Sequence, residues 1–182
     1  MATYYIEEHL LSAKVRVFIK NESDEPVFLL LGNWGVKGDS VSIYDLDGQR
    51  LAKATQKSDG FRAKFDLYDS TSQIGTMKQL FALKRDYYVI KKVNWLVIGH
   101  IPKKRYQIIS FKKRILEAGV ISKEGKRFFK IMIPNKEQAP VLICAMAVLD
   151  YWARNAKKLE ELSKLKEFHL EVGQKSYCSK KD

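Results

Sequence analysis

Hydrophobic and polar residues alternate with a period of two along most of the first 134 residues. Val15, Val17 and Ile19 alternate with Lys14 and Arg16, and the same alternation runs through residues 61–68. Successive side chains of a strand point to opposite faces, so this pattern predicts strands with one wet face and one dry face. We expect twelve strands, at about residues 3–8, 13–20, 26–33, 39–45, 50–57, 61–69, 72–79, 86–92, 94–100, 104–111, 114–122 and 127–134.

Turn signals separate these strands at intervals of about ten to twelve residues, which is typical of a sandwich or a barrel. The clearest signals lie at residues 21–26, 45–48, 58–60 and 122–126. Each supplies Gly, Pro, Asn or Asp, which favour a reversing backbone.

A different pattern follows Pro134. Residues 141–149 include no polar side chain, and Pro140 stands near the start of this run, where a helix tolerates proline. A helix that is apolar all round must be enclosed on every side. We therefore predict a helix at about residues 138–155 surrounded by sheet. The predicted fold is mainly β, a closed antiparallel barrel of about twelve strands around a hydrophobic C-terminal helix, with one barrel domain over residues 1–155.

Residues 156–182 follow as an amphipathic helical extension and a polar tail. Leu159, Leu162, Leu165 and Phe168 recur on one helical face, and charged residues occupy the rest. This face can serve a protein partner or a second copy of the chain through residues 156–168.

The repeated strand-turn-strand units, such as residues 39–57, and the closing helix Pro140 to Tyr151 resemble the tubby C-terminal-like superfamily. The particular resemblance, over about residues 1–155, is to the LURP-one-related proteins, which share a barrel with the phospholipid scramblases. It implies a closed twelve-stranded barrel threaded by the apolar helix. Tubby domains bind phosphoinositide head groups and scramblase relatives associate with membranes. No lipid-contact motif carries over to individual residues of this chain.

Composition narrows the class of protein. The chain has 182 residues, 46% hydrophobic and 12% aromatic, which suits one folded domain. The apolar run is far shorter than the roughly 20 residues of a spanning helix. Cys144 lies in that run and Cys178 in the tail, so we expect no disulfide, and residues 1–8 lack the features of a secretion signal. The expected location is cytoplasmic, with a peripheral position at the membrane.

Charge is distributed unevenly. Residues 1–83 hold ten Lys or Arg and eleven Asp or Glu, whereas residues 84–130 hold fourteen and three. In an up-and-down meander, alternate turns lie at the same end of the barrel. We define the basic rim as the cations expected at one end, namely Lys84, Arg85, Lys103, Lys104, Arg105, Lys123, Lys126 and Arg127. The opposite rim would carry Lys91, Lys92, Lys112, Lys113 and Arg114.

The basic rim predicts an anionic partner, because clustered cations reinforce one another's potential. The main hypothesis is a non-enzymatic module that docks on an anionic phospholipid or phosphoinositide surface. The same cations fit a nucleic-acid backbone, although the chain has no RNP-type aromatic motif. A third hypothesis is a protein-interaction scaffold that uses residues 156–168. Solvated charge that keeps a β-rich protein soluble explains the excess equally well.

Candidate catalytic and metal-binding residues are isolated from one another. His9, His100 and His169 have no second ligand at metal-binding spacing, so we expect turn or surface histidines, no metal and no cofactor. Burial in the apolar helix would raise the pKa of the Cys144 thiol and leave it inert. No nucleophile and base pair is identifiable, which argues against an enzyme.

Three further features have structural explanations. Residues 32–38 lack the spacing of a phosphate loop and predict a turn between strands. Trp34, Trp95 and Trp152 predict core or rim packing. Asp150 at the end of the apolar run needs a partner if it is buried, and Arg154 lies one helical turn away.

Overall fold

Twelve antiparallel strands form a closed barrel in which consecutive strands pair and β1 pairs with β12. The computed structural model describes residues 1–7, 14–59, 63–80 and 87–154. The strands β1 to β12 are Ala2–Glu7, Lys14–Lys20, Pro26–Asn33, Ser40–Tyr44, Arg50–Gln56, Phe65–Tyr68, Gln73–Leu80, Tyr87–Lys91, Trp95–His100, Arg105–Ser110, Lys113–Lys123 and Lys126–Ile133.

The helix α1 follows β12 and spans residues 139–154 of the described chain. A short 3-10 helix, Lys136–Gln138, leads into it, and the Asn135 side chain accepts a hydrogen bond from the Glu137 backbone N–H at 3.1 Å. Every residue from 141 to 150 is buried. The prediction of an apolar helix enclosed by a mainly β barrel is therefore confirmed.

Alternate residues of each strand line the barrel and pack on α1. In β2, Val15, Val17 and Ile19 are buried while the residues between them are exposed or half-buried. Burying one large apolar side chain stabilises a fold by about 1.5–3 kcal/mol. Buried side chains from all twelve strands therefore form one core around α1. Cys144, which lies on α1, is a buried free thiol within this core.

Two strand predictions need correction. The sixth strand is Phe65–Tyr68 rather than residues 61–69, and residues 60–62 lie outside the described chain. Phe111, expected to end the tenth strand, instead forms the turn to β11. A backbone φ of 45° at Phe111 explains why the extended strand cannot continue through it.

The meander places alternate turns at opposite ends of the barrel. The turns at 34–39, 101–104 and 124–125 lie at the end that α1 reaches at residue 154, which we call the exit end. The turns at 21–25, 45–49, 69–72, 92–94 and 111–112 lie at the entry end, where the chain passes from β12 into α1.

The barrel rim has a step between β1 and β2. Lys20, the last residue of β2, pairs with Tyr5 in the middle of β1, and this is the pairing that joins the two strands. The turn from β2 to β3 is therefore displaced along β1 toward the exit end.

The glycine-rich residues 32–38 span the end of β3 and the turn from β3 to β4, so the turn that the sequence predicts is present. Gly35 donates its N–H to Gln56 Oε1 at 3.3 Å, and Gly38 donates to the Gln56 carbonyl at 2.9 Å. A Cβ on Gly32 would lie 2.1 Å from the Ser40 carbonyl oxygen, so close strand packing requires glycine there.

Among the described residues, no helix is both long enough and apolar enough to cross a lipid bilayer.

Candidate functional site

The predicted basic rim is built from several turns at the exit end. Lys103, Lys104 and Arg105 lie at the turn between β9 and β10, and Lys123, Lys126 and Arg127 lie at the tip of the hairpin formed by β11 and β12. Lys84 and Arg85 lie outside the described residues. The meander thus places the six described cations at one end of the barrel.

Lys104 differs from its neighbours because its ammonium group points into the barrel. Lys104 Nζ lies 2.7 Å from Asp150 Oδ1, and the two side chains are 11% and 0% exposed. Arg154 Nε lies 2.9 Å from Asp150 Oδ2. The predicted Asp150–Arg154 pair is confirmed, and Lys104 is a second partner that the sequence analysis did not identify. This cluster ties the end of α1 to the barrel wall.

The buried charge also affects Tyr106. Burial raises the pKa of the Tyr106 hydroxyl well above its usual value, and the negative charge of Asp150 raises it further. Both effects disfavour a second negative charge in the same interior. Tyr106 therefore stays a neutral phenol beside the Asp150 cluster.

The hairpin tip of β11 and β12 is exposed, and carboxylates lie near it. Lys126 Nζ is 3.7 Å from Glu7 Oε1. The pKa of Asp24 is lowered chiefly by its hydrogen bond with Lys20, and the positive charges of Lys123 and Lys126 lower it further. The step between β1 and β2 explains this proximity. Part of the positive charge at the hairpin tip is consequently balanced.

A groove of about 530 Å³ lies on the outer face of β9 to β12 at the exit end. Lys103, Arg105 and Lys130 line it, together with Gln107 and Glu117. Glu117 pairs with Arg114 Nη1, so its charge is already compensated. The apolar residues that line the groove include Ile98, Ile121 and Met132. The groove therefore combines a net positive charge with an apolar surface.

Gly119 opens this groove. In β11, Ala118 pairs with Tyr106 of β10, so the next residue, Gly119, lies beside Arg105. On the opposite side, Gly119 pairs with Lys130 of β12. Strand spacing places Arg105 and Lys130 about 10 Å apart with a glycine between them. A Cβ on Gly119 would have no atom within 4 Å. This gap lies between two cationic side chains, so its electrostatics favour an anionic group over a cationic one.

Two contributors to the groove were not identified from the sequence. Lys130 alternates with the inward-facing Phe129 and Ile131, so its outward direction was predictable. Its pairing with Gly119 follows from the short hairpin turn at 124–125, whereas the position of Gly119 beside Arg105 depends on the register between β10 and β11, which shifts at Ile108 and Ile109.

The wall on the other side of the barrel carries a smaller, more polar depression of about 320 Å³. Arg50, Lys53, Asp69 and Thr71 are among its lining residues. Asp69 accepts hydrogen bonds from the backbone N–H groups of Ser72 and Thr71, and these bonds lower its pKa. Its carboxylate is used by its own turn.

The other candidate residues have structural roles. His100 Nδ1 accepts a hydrogen bond from the Lys103 N–H at 3.3 Å, as suits a turn histidine. Trp34, Trp95 and Trp152 are at most 7% exposed, which confirms core packing. Burial raises the pKa of the Cys144 thiol to about 12. The described residues contain no cluster of three His, Cys, Asp or Glu that could hold a metal ion, while His9 and His169 lie outside them.

Comparison with known proteins agrees with this architecture. The chain is similar to an Arabidopsis thaliana protein of known crystal structure, with a TM-score of 0.55 and 13% sequence identity. The likeness covers 82% of this chain and 89% of the Arabidopsis chain, and it supports the fold alone. No curated protein sequence matches the chain significantly.

The family model for LURP-one-related proteins matches residues 2–150, which include all twelve strands of the barrel and most of α1. Family membership supports a tubby-like barrel that acts in general as a binding module, and the family's barrel is generally non-catalytic. The chain belongs to the LURP-one-related family.

Proposed function

We propose that this protein is a non-enzymatic module that docks reversibly on anionic phospholipid surfaces through its basic rim. The observation that carries the proposal is the groove on β9 to β12, where Lys103, Arg105 and Lys130 border an apolar surface at the exit end. A lipid headgroup is anionic and adjoins an apolar chain, so its chemistry complements both parts of the groove.

The charge distribution supports a surface rather than a single small ligand. The hairpin tip with Lys123, Lys126 and Arg127 extends from the same end of the barrel, next to the groove. Each Lys or Arg near an anionic membrane contributes about 1 kcal/mol to binding. Several exposed cations on one side therefore give useful affinity without a deep pocket, and the protein would sit peripherally at a cytoplasmic membrane surface.

The outer wall beside the groove supports the same orientation. Leu96, Ile98, Ile109, Ile121 and Met132 alternate with the inward-facing core residues of β9 to β12 and are partly exposed, and Ile98, Ile121 and Met132 also line the groove. We call this surface the apolar wall. Cations at its exit end would meet headgroups while the apolar wall approaches the interface.

The rival partners have less support. Nucleic-acid binding without sequence preference commonly uses exposed aromatic rings for base stacking. Trp34, Trp95 and Trp152 are buried, and Tyr106, the aromatic residue among those that line the groove, is 4% exposed, so the groove itself offers no ring for stacking. The scaffold hypothesis depends on residues 156–168, which lie outside the described chain.

Co-sedimentation with vesicles tests the proposal. The protein is expected to pellet with phosphatidylserine-containing vesicles and to remain in solution with phosphatidylcholine alone. Binding should weaken as salt rises, because the Debye length is about 10 Å at 0.1 M ionic strength. Equal pelleting with both vesicles at low salt would refute the proposal.

A pair of double variants tests the location of the site. Lys103→Glu with Arg105→Glu should weaken binding to anionic vesicles at least about 30-fold, since two favourable contacts are lost. Arg50→Glu with Lys53→Glu changes net charge equally in the depression on the opposite wall, and it should retain most binding. If both double variants lose the same affinity for anionic vesicles, binding depends on net charge alone and not on the basic rim. Binding of RNA or DNA fragments at low salt without vesicle binding would favour the nucleic-acid hypothesis.

A further inference from the structure

The turn between β10 and β11 holds an aromatic side chain in solvent. Phe111 and Lys112 form this turn with φ values of 45° and 68°. Two successive residues with positive φ are typical of a type I′ turn, for which Asn-Gly is favoured and bulky residues are unfavourable. The Phe111 side chain is nevertheless 81% exposed. The fold thus accepts an unfavourable turn residue from which it gains almost no burial.

Exposed lysines lie at the same level of the barrel as this aromatic residue. Lys113, Ser110, Trp95 and Ile90 lie in one row across β11, β10, β9 and β8. Three strand spacings, about 15 Å, therefore separate the ends of this row. The turn with Phe111 and the turn after Lys91 rise from the same level of the wall. Lys91, Lys112 and Lys113 are all exposed there.

The same end of the barrel offers a direct contrast. Leu46 lies in the turn between β4 and β5 and is 59% exposed. Its neighbours are Asp45 and Asp47, which an anionic bilayer repels. Phe111 and Leu46 are therefore two exposed apolar turn residues whose neighbours carry opposite charge.

We propose that Phe111 inserts into the interfacial region of an anionic bilayer, with the flanking lysines at the level of the headgroups. This inference rests on the membrane docking proposed above and adds an anchor to it. An apolar ring can enter the acyl boundary, and lysine stems can lie along apolar surface while their ammonium groups stay at the headgroups.

The anchor and the basic rim fit one orientation. β10 runs from Arg105 at the groove to Ser110 beside Phe111. Six residues of strand span about 20 Å, and the apolar wall lies along this length. A barrel lying on this wall brings Arg105 and Phe111 to the membrane together.

A tryptophan placed at the tip tests the insertion directly. The native Trp34, Trp95 and Trp152 are buried, so they give a background that should change little. Phe111→Trp is expected to show a blue-shifted emission with phosphatidylserine-containing vesicles and quenching by lipids brominated on their acyl chains. Leu46→Trp, the matched control, is expected to show neither change.

A second variant separates insertion from folding. Phe111→Asn suits the turn better, so its urea midpoint should equal or exceed that of the unchanged protein. Its affinity for anionic vesicles should fall about tenfold, as expected when an inserted aromatic side chain is lost.

The outcomes distinguish the two proposals. If the unchanged protein pellets with anionic vesicles while Phe111→Trp emission stays constant and Phe111→Asn binds normally, the anchor is wrong and membrane docking stands. If the unchanged protein pellets with no vesicle, both proposals fail. If Phe111→Trp is quenched but the Lys103 and Arg105 variant binds normally, the anchor stands and the basic rim is wrong.

Discussion

The two sides of the barrel have different outer surfaces although their inner surfaces are alike. On β5 to β7 the outward residues are mostly polar and bond to one another: Asp66 accepts a hydrogen bond from Thr76 Oγ1 at 2.6 Å and lies 3.4 Å from Lys57 Nζ. We call this surface the polar wall. On β9 to β12 the outer face carries the aliphatic side chains of the apolar wall, which can make no such bonds, together with Gln107, Glu117 and Lys130 and with cations at both ends.

This difference shows that a closed barrel can carry different charges on different parts of its outer surface without any change in its core. All twelve strands bury alternate residues against α1. The outward positions are consequently free to vary, and here one side satisfies its own polar groups while the other remains apolar and cationic. A surface whose polar groups bond to one another is stable in water, whereas an apolar surface bordered by cations is complementary to an anionic interface.

The two sides also hold the end of α1 differently. On one side Phe65 packs edge to face against Tyr151 and Trp152, with ring centroids 5.4 and 5.3 Å apart. On the other side Lys104 reaches Asp150 from the turn between β9 and β10. Aromatic packing and buried charge thus perform the same structural task on opposite sides.

Removal of the buried charge should have the largest effect on stability. Asp150→Ala leaves Lys104 without its buried partner, which typically costs about 3–5 kcal/mol. Urea denaturation followed by circular dichroism measures the change, with the exposed Asp47→Ala as control within about 0.5 kcal/mol. A loss below 1 kcal/mol for Asp150→Ala would mean that charge does not hold this side of α1.

Replacement of the aromatic contact should have a smaller effect. Phe65→Leu keeps an apolar side chain at a fully buried position and loses the edge contacts with Trp34, Tyr151 and Trp152. We expect a destabilisation of about 1–2 kcal/mol. The same urea titration applies, and an unchanged midpoint would contradict a holding role for the rings.

The polar wall should be moderately sensitive to loss of charge. Asp66→Asn weakens the interaction with Lys57 and retains an oxygen for Thr76, so we expect a loss of about 1 kcal/mol. Ile98→Thr on the apolar wall provides the comparison, since Ile98 has no polar partner to lose. Equal sensitivity of the two walls would remove the distinction between them.

Filling the groove should leave stability almost unchanged. Gly119→Leu adds a side chain where a Cβ meets no atom within 4 Å, so the free energy of unfolding should shift by about 0.5 kcal/mol or less. Binding to anionic vesicles should fall because the gap between Arg105 and Lys130 is occupied. Normal binding by a stable Gly119→Leu protein would exclude the gap as a phosphate site.

Cys144 reports whether the barrel encloses α1 from both sides. Its thiol pKa of about 12 arises from burial, so thiol reagents at pH 8 should label it only after unfolding. An unfolded cysteine ionises near pH 8.5–9, so the unfolded state binds fewer protons above that range. Stability should therefore decline slightly as pH rises through 9. Peptide mapping by mass spectrometry distinguishes Cys144 from Cys178, and labelling in the native protein would contradict full enclosure.

The barrel itself was largely predictable from the sequence. Period-two alternation identified strands such as β2, and the apolar residues 141–149 required an enclosing sheet. These are local signals, because each depends on residues close together in the chain. The predicted Asp150–Arg154 pair was local in the same sense, and it is present.

The groove and the inward direction of the Lys104 side chain could not be predicted from the sequence in the same way. Lys104 is one of three consecutive basic residues, and nothing nearby distinguishes it from the exposed Lys103 and Arg105. The gap at Gly119 depends on the register of Arg105 in β10 against β11, where the pairing shifts at Ile108 and Ile109. Such pairings follow from the folded sheet rather than from the order of residues in one strand.

The enclosed helix also constrains the order in which a newly made chain can reach its native state. α1 follows all twelve strands, and the strand that seals the wall pairs Ala2 with Ile133. A nascent chain that has emerged only to Ile133 can form hairpins, but α1 is not yet available to cover their apolar inner faces. Translation adds about 5–20 residues per second, so this vulnerable interval lasts on the order of seconds. We expect that aggregation is avoided there by chaperones or by fast, late closure around the helix.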